Sequence, residues 1–246
     1  VGADDLTLPL FENQYPVQPM GVSYNSYLIL DEKIAVMDSV DARAADEWLA
    51  KLAHELDGRS PDYLVISHME PDHSGSILRL AEKYQEMKLV GNTKTFTMLR
   101  QFFGAKAPTD DRLLEVGEGE TLPLGAHTLH FMLAPMVHWP EVIMTYESSE
   151  KILFSADGFG KFGALDVQED GRFGSLGRTA NAPWAPQARR YYYNIVGKYG
   201  AQVQALLKKA SALEIKTVCP LHGPVLTGEA LGEALRLYDL WSRWQS

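Results

Sequence analysis

One cysteine, Cys219, occurs in 246 residues, so neither an internal disulfide nor a thiolate-rich zinc cluster can form. Any metal must therefore be held by His, Asp and Glu. No apolar run approaches the roughly eighteen residues that a membrane-spanning helix needs. The first ten residues, VGADDLTLPL, have neither the basic flank nor the apolar centre of a signal peptide. A cytoplasmic protein without a membrane partner is expected. Lysine and arginine never cluster and the net charge is −9, which argues against nucleic acid or an anionic membrane surface. Small molecules and protein partners remain. There is no fixed-period repeat, no low-complexity tract and no clear linker, so residues 1–246 are expected to form a single domain.

What the chain does have is a 46% hydrophobic composition, enough for a sizeable core. Strand-like runs recur at YLIL, 33–39, 63–67, 87–92, 127–133, 142–147, 151–157 and 216–220. Apolar residues at three- and four-residue steps predict helices over 43–56, 75–85, 95–103, 187–199, 201–213 and 229–244. Both halves mix strands and helices, which predicts an α/β fold of two packed sheets with helices outside. The last helix carries Leu231, Leu235, Tyr238, Trp241 and Trp244 as a docking stripe. The Gly-rich stretch 158–186 reads as a long surface loop.

The most informative segment is SHMEPDHSG, residues 67–75, with two histidines and two carboxylates in six residues. Chance would give such a hexad with a probability on the order of one in a thousand. It follows a strand-like run, where sites are commonly built. His68 and Glu70, two apart, can point one way, while Asp72 and His73 can face a second ion. Three more metal-capable residues each follow a strand: His138, Asp157 and His222.

In this pattern, and in MGVSYNSYLI, MVHWPE, LFSADGFG, RRYYYNIVGKY and CPLHG, the sequence resembles the diiron domain of the flavodiiron proteins, a branch of the metallo-β-lactamase fold. The resemblance implies an αββα sandwich. It implies one iron held by His68, Glu70 and His138, another by Asp72, His73 and His222, and Asp157 bridging them. Four imidazoles and three carboxylates suit iron. Zinc hydrolases of this fold carry His at the position of Glu70, and a carboxylate there favours the ferric state. The implied activity is reduction of O2 to water or NO to nitrous oxide, with Tyr191 and Tyr192 as candidate phenols near the gas. Flavodiiron proteins continue into an FMN-carrying domain and work as head-to-tail homodimers. FMN is not expected within this chain, so electrons would come from a separate flavodoxin- or rubredoxin-like donor. Asn13 stands where the family places a histidine near the site.

Two other functions compete with a reductase: a diiron oxygen sensor with little turnover, and a zinc-dependent hydrolase. Gly158-Phe159-Gly160-Lys161-Phe162-Gly163 satisfies the G-x-G-x-x-G pattern, yet no amphipathic helix follows to point its N-terminus at a pyrophosphate. Those glycines read instead as a tight turn behind Asp157. His54, His127 and His130 read as structural, and Cys219 as a small buried apolar residue.

Overall fold

The computed structural model describes residues 1–165 and 184–245. At the N-terminus β1 (Ala3–Asp5) pairs antiparallel with β4 (Val22–Tyr24), and between them β2 (Leu10–Phe11) and β3 (Tyr15–Pro16) form a small hairpin. The first main sheet contains β5 (Tyr27–Ile29), β6 (Ala35–Met37), β7 (Tyr63–Val65), β8 (Lys88–Gly91) and β9 (Leu113–Glu115). From β6 to β9 neighbours run parallel, and β5 is antiparallel to β6. The second sheet contains β10 (Thr121–Pro123), β11 (Thr128–Leu133), β12 (Ile143–Glu147), β13 (Ile152–Phe154), β14 (Thr217–Cys219) and β15 (Leu226–Thr227). It is antiparallel except where β13 and β14 pair in parallel.

The period of two along each strand builds the layers. Met37, Val65 and Val90 from the first sheet meet Leu129, Phe131, Ile143, Phe154 and Cys219 from the second, forming the core between sheets. Their sequence neighbours Val36, Leu64, Leu89, Met144, Leu153 and Val218 face the other way into a second core shared with the helices. Strands buried on both faces have to be apolar throughout, which is why these runs show little alternation in sequence.

The helices are α1 (Ala45–Leu56), α2 (Pro71–Ser74), α3 (Ile77–Lys83), α4 (Thr93–Phe103), α5 (Trp184–Tyr191), α6 (Gly200–Ala210) and α7 (Gly228–Ser242). Trp48 and Leu52 of α1, Phe96 of α4, Val203 of α6 and Tyr238 of α7 enter the outer core. The fold is the expected αββα sandwich. None of the helices among the described residues is long and apolar enough to cross a membrane.

Several expectations need correction. The helix predicted over 75–85 is the shorter α3, and a separate turn, α2, precedes it from Pro71, whose ring suits a first helical position, so Asp72 and His73 lie in a helical turn. The helix predicted over 187–199 begins at Trp184, and after Tyr191 it widens into a π turn, Tyr192–Val196. Trp244 lies beyond α7 and is 69% exposed, so it does not extend the docking stripe. Of the predicted surface loop 158–186, residues 166–183 lie outside the described residues, and Gly158–Gly163 are buried. The glycines there serve close packing. A Cβ at Gly158 would sit 2.9 Å from Met144 Cε, and one at Gly160 3.0 Å from Tyr191 Cε1.

Candidate metal centre

The loops after β7, β11, β13 and β14 converge at one end of the sandwich and bring all seven candidate ligands together. Ligand atoms of His68, Glu70, His138 and Asp157 lie within 4.8 Å of one another, as do those of Asp72, His73 and His222. In the first group Glu70 Oε2 is 3.3 Å from His68 Nε2 and 3.1 Å from His138 Nε2. Glu70 occupies the N-cap position of α2, yet its side chain accepts no capping hydrogen bond and turns to the imidazoles instead. In the second group Asp72 Oδ2 is 3.3 Å from His73 Nε2 and 3.1 Å from His222 Nε2.

Asp157 divides its two oxygens between the groups. Oδ2 is 3.0 Å from His138 Nε2 and 3.4 Å from His68 Nε2, while Oδ1 is 3.1 Å from His73 Nε2 and 3.7 Å from His222 Nε2. One carboxylate thus presents a separate oxygen to each of two ligand sets.

The outer nitrogens are held from behind. His68 Nδ1–H donates to Glu141 Oε1 at 2.7 Å, an oxygen that also accepts Met69 N–H at 2.9 Å. His222 Nδ1–H donates to the Ser23 carbonyl at 2.6 Å. Asn25 Nδ2 donates to the carbonyls of Pro220 and Gly223, pinning the turn that carries His222. Asp38 Oδ1 accepts Ser67 N–H at 2.7 Å and so fixes the start of the His68 loop.

Burial alone would lower the affinity of His138 for a proton, but hydrogen bonds to Asp157 and Glu70 outweigh it and raise its pKa to about 9. His222 is likewise raised to about 9, against burial, chiefly by Asp72 and Asp157. Burial opposes ionisation of Asp157, yet the surrounding imidazoles hold it well below the usual carboxylate range. In the metal-free cluster Asp157 therefore stays charged beside His138 and His222, which hold their protons.

A cation at the second group fits what remains unsatisfied there. Both oxygens of Asp72 and the Nε2 of His222 are buried without a hydrogen-bond partner. Buried polar atoms left in this way are costly unless an ion or water meets them. Nitrogen and carboxylate donors without thiolate suit a first-row transition metal.

A cavity of about 730 Å³ reaches Glu70, Asp72 and His138 from the surface, past Glu12, Tyr15, Trp139 and Lys198. A second, of about 820 Å³, lies beside β5 and α1 and touches none of the seven residues. Tyr191 and Tyr192 part company. Tyr191 packs its ring 5.5 Å from that of His222, and its buried hydroxyl has no partner. Tyr192 packs among Tyr238 and Trp241, at ring distances of 5.0 and 5.6 Å. Glu12, rather than Asn13, turns toward the ligands. Asn13 is exposed at the cavity rim, whereas Glu12 is half-buried, and burial with the nearby Glu70 raises the pKa of its carboxyl to about 8.

Glu12, Asp38 and Glu141 carry no motif of their own in the sequence. Glu141 was within reach, because it closes the MVHWPE stretch, but its role depends on a contact 73 residues distant. His127, read as structural, pairs with Asp31, 96 residues away and 2.7 Å from its Nδ1.

A family model described as ODP family beta lactamase matches residues 22–223. The chain is 34% identical over 232 residues to a rubredoxin-oxygen oxidoreductase of Megalodesulfovibrio gigas, covering 93% of this chain and 55% of that protein. It is 30% identical over 247 residues to a nitric oxide reductase of Moorella thermoacetica, covering 100% of this chain and 59% of the relative. The crystal structure of the flavodiiron protein from Giardia intestinalis superposes with a TM-score of 0.90 at 34% identity, covering 99% of this chain and 57% of that one. The chain thus spans little more than half the length of these relatives. With this match across both sheets and the ligand loops, the chain belongs to the flavodiiron proteins, as their metallo-β-lactamase-like ODP domain.

Proposed function

We propose that the 246 residues act as one diiron domain that reduces O2 to water or NO to nitrous oxide with electrons from a separate carrier. The observation that carries this reading is the division of Asp157, one oxygen toward each of two His/carboxylate groups. A carboxylate divided in this way would serve two ions at once, as in two-metal sites. His68, Glu70 and His138 would hold one iron, and Asp72, His73 and His222 the other. Iron in these positions would supply the one-electron redox chemistry that zinc cannot.

The stoichiometries are O2 + 4 e− + 4 H+ → 2 H2O and 2 NO + 2 e− + 2 H+ → N2O + H2O. Both need protons at the site, and the protein offers a donor there: the unpartnered, buried hydroxyl of Tyr191. The open cavity admits the gas, and the surrounding apolar core of Phe11, Phe162 and Tyr191 keeps bulk water from the far side. We place the electron donor, a flavodoxin- or rubredoxin-like protein or a flavin domain of a partner subunit in a homodimer, at the mouth of that cavity. The relatives named for rubredoxin-dependent O2 reduction and for NO reduction support this class of reaction.

The test is metal content after preparation with iron and zinc both available, followed by anaerobic reduction and addition of O2 or NO with excess donor. Two irons per chain and uptake over many turnovers are expected. A single stable oxygen adduct without further uptake would make the protein a sensor, and two zincs that resist iron reconstitution would make it a hydrolase. Tyr191→Phe should slow gas reduction about a hundredfold, the scale of one preorganised donor, with both irons retained.

A further inference from the structure

Beneath α6 and α7 the packing leaves a gap. Val137, Met144 and Gly158 on the side of the second sheet, and Val203, Leu206 and Tyr238 on the helices, line a void of about 20 Å³. No polar atom of the described residues faces it, and it shares no lining residue with the open cavity at Glu70, Asp72 and His138. Protein interiors leave few voids larger than a water molecule, so this one has a local cause. Gly158 brings no Cβ into it, since one would sit 2.9 Å from Met144 Cε, and Ala210 at the end of α6 offers only a methyl.

The size and the lining decide what can enter. About 20 Å³ holds one small molecule and no organic ligand. A buried water needs roughly two to four polar partners, and here it would find none. The void is therefore dry, and it favours a small, neutral, apolar guest over water.

Its position connects it to the metal centre. Val137 immediately precedes His138, and Gly158 immediately follows Asp157, so two of its walls are bonded to ligand residues. Between them stands Met144, whose unbranched thioether adapts readily to a passing guest. On the other side the void is lined by Leu207, Ile215 and Leu235, which are only half-buried, so it reaches toward the surface between α6 and α7.

We infer that this void is a holding site for the diatomic gas, O2 or NO, which gathers there from between α6 and α7 directly behind His138 and Asp157. It gives an apolar substrate a dry approach beside the open cavity, whose walls carry Glu12, Glu70, Asp72 and Lys198. The inference rests on the gas-reducing reading above for the identity of the guest.

The test uses xenon, a neutral and polarisable atom, on the metal-free full chain. Xenon-dependent NMR shifts of the methyl groups of Met144, Val203 and Leu206 should saturate, and dissolved O2, which is paramagnetic, should broaden the same signals. Val203→Leu, which extends a side chain into the void, should lose the xenon shifts at pressures that saturate wild type. Val203→Ala, which enlarges the void, should bind xenon more tightly, and it serves if the leucine variant does not fold. With iron bound, Val203→Leu should raise the KM for O2 or NO severalfold, more than it lowers kcat.

A folded wild type without saturable xenon shifts would overturn the inference, as would shifts that neither substitution changes. Loss of the xenon site with an unchanged KM would overturn it too, because the void would then hold no gas on its way to the metals. Absence of turnover in an iron-loaded wild type would strike the reductase reading instead, while the xenon titration, made without metal, still decides whether the void takes a gas.

Discussion

The two ligand groups face each other across Asp157, yet they are braced in different ways. The first leans on charge. Behind His68 stands Glu141, fully buried, its carboxylate taking both the imidazole and Met69 N–H while Asn92 of the α4 capping box donates to its backbone carbonyl. The second leans on neutral backbone. His222 donates to the carbonyl of Ser23, and His73 Nδ1 is buried without a partner. A carboxylate behind an imidazole raises its basicity as a ligand more than a carbonyl does. The first group should therefore hold its ion more tightly, although Asp157 presents an oxygen to each.

The largest effect should come from removing what the groups share. Asp157→Ala deletes a ligand from each and leaves four buried histidines without the carboxylate at their centre. Metal content should fall from two ions toward none, and gas reduction should disappear. Metal analysis after gel filtration checks this, and two ions retained per chain would show that the bridge lies elsewhere. Next in size is Glu141→Ala, which should weaken the first ion ten- to a hundredfold. The second ion should be unaffected, so the order of metal release during chelation should reverse. Unchanged order would mean that the difference in bracing has no energetic weight.

A change of pH acts on both groups in the same window. In the metal-free fold His138 and His222 have pKa values raised to about 9, above the ordinary 6.5. The stability they contribute is fully present below about 6.5 and is lost as the pH rises through about 9. A bound ion displaces those protons, so its affinity should rise over the same interval, with proton release that weakly buffered calorimetry can measure. The metal-free protein should thus unfold at a lower temperature at pH 9.5 than at pH 6.5, and the bound form should show the smaller change. A flat profile for the metal-free protein would mean that these histidines are neutral there.

How much of this was legible in sequence follows from the range of each interaction. The seven candidate ligands were readable because four of them, His68 to His73, fall within one hexad and the rest each follow a strand. The two sheets were readable because strands buried on both faces leave long apolar runs. The braces were not. Glu141 meets His68, and Ser23 meets His222, across 73 and 199 residues respectively, and neither contact leaves a periodic mark. Short strands such as β2, β3 and β15 escaped because two residues carry no period. The glycines at 158–163 were legible as a tight turn behind Asp157, closed by Gly158 N–H to Ser155 O and Gly160 N–H to Asp157 O, but their burial was not, because only the neighbours Met144 and Tyr191 decide it.

The smallest predicted effect concerns the tyrosine pair that sequence left undivided. The π turn that starts at Tyr192 follows directly on Tyr191, and adjacent residues then serve different surroundings. Tyr191 lies against a ligand, with the charges of Asp157, Asp72 and Glu70 acting on its phenol. Tyr192 fills the core beneath α7, its hydroxyl buried and unpartnered. An unpaired buried hydroxyl destabilises, so Tyr192→Phe should leave stability unchanged or raise it by about 1 kcal/mol. It should also leave the rate of gas reduction within about twofold, against the hundredfold loss expected for Tyr191→Phe. Thermal unfolding and gas uptake on the two variants side by side decide the matter. If Tyr192→Phe loses activity with its metals in place, both phenols act on the reaction, and a packing role alone fails to explain why Tyr192 carries a hydroxyl.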